Sequence, residues 1–95
     1  MSVIPLGFMV MELGMICVTR RAFAELDGFQ ANDALMRHMT GDWGEIDEQD
    51  WETNDEALRK GDRVVSSYLN RKLRRFLIIT EADCAKTTIL LPEEC

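Results

Sequence analysis

Apolar positions along this chain repeat with two different periods. Between Thr19 and Gly61 they fall three, four or seven apart, the spacing that puts side chains on one face of a helix. Phe23 precedes Leu26 by three, Leu35 precedes Met39 by four, and Trp51 precedes Leu58 by seven. From Arg63 onward, "RVVSSYL", "RFLIIT" and "KTTILL" are short runs rich in β-branched and aromatic residues, which suit a pleated, half-buried surface. "MICVT" (Met15 to Thr19) is a similar run near the front. The predicted order is β-α-α-α-β-β-β. That is an α+β domain whose C-terminal antiparallel meander packs against helices on one face of the sheet.

Local signals set the boundaries. Thr19 stands where an N-cap belongs, and Gly28 is the expected C-terminal stop of the short helix "RRAFAEL". "FQANDALMRHMTG" predicts a second helix, closed by Thr40 and Gly41, with Phe29 joining Leu35 and Met39 on its buried face. Asp47 should cap the third helix, with Asp50 at its third position and Arg59 and Lys60 in its last turn before Gly61. Asp55 with Arg59, and Glu56 with Lys60, are acid-first pairs at spacing four, worth about 0.3 kcal/mol each. Turns are expected at Asn70–Lys72 and at Glu81–Ala85. Trp43 and Trp51 are both expected to be largely buried, as anchors of a small core.

A chain of 95 residues makes one domain with one modest core. Residues 1–14 form an apolar lead-in and residues 15–95 the α+β core. The lead-in has no basic start, Glu12 interrupts it, and it lacks the roughly 20 apolar residues that span a bilayer. It is expected to pack on the core, to cover a neighbouring subunit, or to be a floppy extension from an upstream start, with Met15 as the alternative start. Cys17, Cys84 and Cys95 are odd in number and widely spaced, with no CxxC pair. They make no disulfide framework and fit a reducing cytoplasm.

Charge changes the picture. Seventeen acids against eleven bases give a net charge of −6. Such a chain is repelled by nucleic acid and suits a partner with a basic surface, so direct DNA binding is not expected. Eight of the acids crowd into "HMTGDWGEIDEQDWETNDEAL" (His38 to Leu58). A calcium loop needs oxygen ligands at alternate positions. A loop begun at Asp42 meets Gly44 at its third position, and one begun at Asp47 meets Gln49, then Trp51. Capping and pair spacing account for five of the eight acids. His38 is the sole histidine, so a zinc site lacks ligands, and no metal or cofactor is expected. Ser66 and Ser67 lie on a strand, outside any nucleophile elbow, and "EADCAK" reads as a polar turn. No catalytic residue is assigned and an enzyme is not expected. "NRKLRR" sets Arg71, Lys72, Arg74 and Arg75 at a hairpin tip, either as edge protection or as a contact patch for phosphate or an acidic surface.

Three stretches, "LMRHMTGDWGEIDEQDWETNDEAL", "VVSSY" and "IITEADCAKTTILLPEEC", together resemble a family. It is the small uncharacterised "plasmid-related" proteins carried by bacterial plasmids, integrative elements and prophages. The resemblance spans residues 16–95, and "GDWG" and "ITEAD…TTILLPEE" are its specific parts. Three features depart from the family pattern: the extra lead-in, the basic hairpin tip, and Cys84 where a basic residue is common. The resemblance brings no activity and no site residues. What it implies is a setting, a mobile element in a bacterial host, where short acidic proteins block restriction or CRISPR machinery.

Charge and setting together give the expectation for function. It is a non-enzymatic, cytoplasmic, acidic inhibitor that binds the basic nucleic-acid-binding surface of a host defence complex, of the anti-CRISPR or antirestriction kind. The expected contacts are Glu48, Glu52, Asp55 and Glu56 on the third helix, with Arg71, Lys72, Arg74 and Arg75 as a second patch. The alternative is a homodimeric housekeeping or gene-control accessory protein of the element.

Overall fold

The computed structural model describes residues 10–95. The elements follow the predicted order: β1 (Met15–Val18), α1 (Arg20–Glu25), α2 (Gly28–Met39), α3 (Glu48–Lys60), β2 (Val64–Leu69), β3 (Arg75–Thr80) and β4 (Lys86–Leu90), with a final 3₁₀ turn at Pro92–Glu94. The four strands form one mixed sheet in the order β1-β4-β3-β2. β2, β3 and β4 are the antiparallel meander. β1 adds to the far side of β4 in parallel, with Ile16 opposite Thr87 and Val18 opposite Ile89.

The two-residue alternation of the strands sorts side chains to two faces. Val64, Ser66 and Tyr68 of β2 share a face with Phe76, Ile78 and Thr80 of β3 and with Thr87 and Ile89 of β4, as the register requires. This is the face the helices cover. Ala22 of α1 and Ala34 of α2 pack on Tyr68, Phe76, Ile78 and Ile89, with Leu26, Ala31 and Leu35 at the margin. The small alanines let the helices approach closely. Trp51, Ala57 and Leu58 of α3 pack beside a second cluster of Met11, Trp43 and Val64. No helix among the described residues is long and apolar enough to cross a membrane.

Three expectations change. Gly28 does not stop α1. That helix ends at Leu26 in an extended conformation, and Gly28 begins α2. The reason is a capping box. Asp27 accepts from the Gln30 N–H at 2.8 Å, and the Gln30 side chain accepts from the Asp27 N–H at 3.4 Å. Phe29 is 85% exposed. Its neighbours one turn on are Asn32 and Asp33, whereas the buried face runs through Ala31, Ala34, Leu35 and His38. Trp43 is fully buried, but Trp51 is only half-buried, because it stands in the first turn of α3 at the rim of the core. The end of the lead-in packs on the core, one of the expectations for it: Val10 donates its N–H to the Met39 carbonyl at 2.8 Å, and Met11 is buried. The expectation for residues 1–9 of the lead-in lies outside the described residues.

Candidate partner-binding surfaces

The acidic stretch divides into carboxylates that hold the fold and carboxylates that do not. Asp42 belongs to the first group. Arg37, in the last turn of α2, binds it at 2.8 Å, and the Gly44 N–H donates to it at 3.0 Å. These partners, Arg37 first, hold its carboxyl below the usual carboxylate range. Arg37 also stacks over the Tyr68 ring at 4.9 Å, and the Tyr68 hydroxyl donates to the Asp42 carbonyl at 2.7 Å. Burial keeps that phenol protonated well above its ordinary range. The end of α2, the "GDWG" segment and β2 are thereby joined.

That segment then runs along the outer edge of β2. Ser67 donates its N–H to the Trp43 carbonyl at 3.0 Å and accepts from the Glu45 N–H at 2.6 Å. Gly44 sits between them with φ +80°, and a Cβ there would strike the Ser67 carbonyl and the Tyr68 ring. Only glycine suits both the backbone conformation and the close approach. Just along the strand, the Asn54 side chain completes the edge. It donates to the Val65 carbonyl at 2.6 Å and accepts from the Val65 N–H at 3.2 Å. "GDWG" is therefore a structural element: it protects an edge strand.

On α3, Asp47 caps the helix through the Asp50 N–H at 2.8 Å, as predicted. Asp55 does not pair with Arg59. It turns inward and accepts from the Trp43 indole N–H at 2.9 Å. Arg59 and Lys60 both bind Glu56 instead. Arg59 is the main cause of the lowered Glu56 pKa. Glu48 and Glu52 are exposed and one turn apart on the outward face, and neither has a hydrogen bond or ion pair among the described residues. Of the four predicted contact acids, one is thus tied to the core, one to its own helix, and two are free.

The basic hairpin is fastened down as well. Arg74 binds Glu25 at 3.1 Å and Arg71 binds Asp27 at 3.7 Å, both at the α1–α2 corner. Arg75 reaches Ser67 and the Glu45 carbonyl. Lys72 has no such partner among the described residues. The tip is organised by Asn70, a buried residue whose side chain accepts from the N–H groups of Lys72 and Arg74 at 2.8 and 3.0 Å. Leu73 takes the left-handed conformation there, with φ 62°.

His38 was singled out in the sequence because it is the sole histidine. It is fully buried, and both ring nitrogens are used, Nδ1 with Ser66 Oγ at 2.5 Å and Nε2 with Thr80 Oγ1 at 2.8 Å. Thr80 continues to Thr87 at 2.8 Å, and Thr87 donates to the Leu13 carbonyl at 2.7 Å. Burial lowers its pKa to about 4, so the ring is neutral near pH 7. This is a core network linking α2, three strand residues and the lead-in. Its serine and two threonines looked like ordinary strand residues in the sequence, and nothing local marked them as partners of His38.

Among the described residues there is no group of three or more His, Cys, Asp or Glu side chains placed to hold a metal ion. No family model, curated protein or solved structure matches this chain.

Proposed function

We propose that the protein is a non-enzymatic binding module whose contact surface is the N-terminal half of the outward face of α3. Its partner carries a basic, nucleic-acid-binding surface, which the carboxylates occupy as competitors of phosphate. The observation that carries this reading is that Glu48 and Glu52 are exposed, adjacent and unpaired among the described residues, on a chain of net charge −6. Asp42, Asp47, Asp55 and Glu56 have structural partners, so Glu48 and Glu52, with the exposed Asp50 between them, are left for another molecule. The single histidine supports a binding role too, being committed to the core. The resemblance to the plasmid-related proteins adds the setting, a bacterial mobile element, and with it a host restriction or CRISPR complex as the class of target.

Replacing Glu48 and Glu52 together by Ser tests this directly. Binding to such a complex should be lost while the melting temperature stays at the wild-type value. Retained binding would reject the acidic face. The basic hairpin is the weaker candidate, because Arg71, Arg74 and Arg75 already have partners within the chain. A second reading, the homodimeric accessory protein, is favoured by one specific observation: the outer edge of β1, which no described residue covers.

A further inference from the structure

The sheet has two edges, and the described residues cover only one. At β2 the outward backbone groups are taken by Asn54 and by Trp43–Glu45. At the other edge, Met15 donates its N–H to the Ala85 carbonyl and Thr19 to the Ile89 carbonyl. Odd-numbered residues of β1 therefore turn their backbone toward β4, and Ile16 and Val18 turn theirs outward. No described residue takes those outward groups. The side chains around them are apolar and open: Met15 is 64% exposed, Ile16 51%, Val18 42% and Phe23 71%. "MICV" is short, four residues, but it holds no charge, proline or glycine, so no charged or proline side chain blunts this edge. A groove of about 230 Å³ lies beside it, lined by Ile16, Val18, Phe23, Leu26, Leu35 and Ile89 among others.

We infer that this edge is a homodimer interface: β1 of one copy pairs antiparallel with β1 of a second, and two four-stranded sheets become one of eight. The inference rests on the homodimeric reading and gives it an interface. Three arguments favour a second copy as the occupant. The first is register. Outward groups at Ile16 and Val18 flank Cys17, so a two-fold axis at Cys17 sets Ile16 against Val18 of the partner and the converse. Each such pair exchanges both N–H···O bonds. The second is area. The four exposed side chains offer about 400 Å² of apolar surface per copy, and with backbone and rim the total reaches about 1,000 Å², the lower bound for a specific, reversible association. The third is charge. Pairing places the exposed Arg20 of one copy over the approach to β1 of the other, which holds the exposed Glu12, and this offsets part of the repulsion between two acidic chains. The same axis puts both α1 helices on one side of the joined sheet, where the two Phe23 rings flank the grooves.

Cys17 is a built-in reporter of this register. It faces its own copy across a non-hydrogen-bonded pair with Cα atoms about 4.5 Å apart, within the span of a disulfide. The experiment is sedimentation of the full chain under reducing conditions over a range of concentrations. It is paired with catalysed air oxidation of the Cys84→Ser/Cys95→Ser variant, read on a non-reducing gel. A concentration-dependent dimer is expected, with a covalent dimer through Cys17 that is lost in Ile16→Lys. Val18→Lys should behave the same way, and circular dichroism confirms that each variant is folded. A dimer that neither lysine disturbs and that Cys17 does not cross-link would overturn the β1 interface and leave the homodimeric reading standing. A monomer at every concentration would overturn both. If the amides of Ile16 and Val18 in that monomer were protected from hydrogen exchange, another part of the chain would cover the edge.

Discussion

Single residues decide which side chains are available for function. Asp55 and Glu52 look alike in the sequence, two acids on one helix, yet Asp55 holds the Trp43 indole and Glu52 holds nothing within the described residues. Replacing Asp55 by Ser should cost about 1–2 kcal/mol, since it leaves a buried indole N–H without its acceptor, while Glu52→Ser should stay within about 0.5 kcal/mol of wild type. Chemical denaturation of the two variants checks this. Trp43→Ala should cost about 3–5 kcal/mol through the cavity it leaves, and Trp51→Ala less, because that ring is half-buried. His38 gives a pH signature. Its pKa falls from the ordinary 6.5 to about 4 on folding, so the unfolded chain takes up a proton first as pH drops. The stability of neutral His38 is whole above pH 6.5, is lost between 6.5 and 4, and amounts to about 3 kcal/mol. Asp42 and Glu94, whose pKa values are lowered, lose their contribution only at lower pH. A melting temperature that stays flat from pH 7 to 4.5 would contradict the buried, neutral His38. The caps at Thr19 and Asp47 were legible because cap chemistry is local. The Trp43–Asp55 and His38–Ser66–Thr80 contacts were not, because each joins residues that only the folded chain brings together.

At the scale of elements, the sheet is the part most open to reading. Runs of β-branched residues bounded by turns located β2, β3 and β4 to within a residue. The parallel partnership of β1 with β4 was hidden, since no local signal ties strands about 70 residues apart. Hidden too was the device at the β2 edge, where a side-chain amide and a loop stand in for a fifth strand. Asn54→Ala should cost about 2 kcal/mol, as it strips both outward groups of Val65 of their partner. It should also raise aggregation by opening an edge, which light scattering would detect. Gly44→Ala should be at least as damaging, from both the close approach and the positive φ. The hairpin clasp should behave differently. Arg71→Gln with Arg74→Gln should lower stability by no more than about 1 kcal/mol, because both ion pairs are exposed. The loss should shrink further at high salt.

For the molecule as a whole, the charge pattern separates into structure and surplus. Acids and bases at the α1–α2 corner, at Arg37–Asp42 and along the last turns of α3 are paired internally. Part of the surplus lies at the start of α3, and the proposed function depends on that part. The most direct measurement is a competition pull-down from a bacterial host extract. Wild type and Glu48→Ser/Glu52→Ser serve as baits, and duplex DNA is added as competitor. The account predicts that wild type captures a nucleic-acid-handling complex, that DNA displaces it, and that the folded double variant captures none. Capture by the double variant at the wild-type level, or capture that DNA does not reduce, would contradict it.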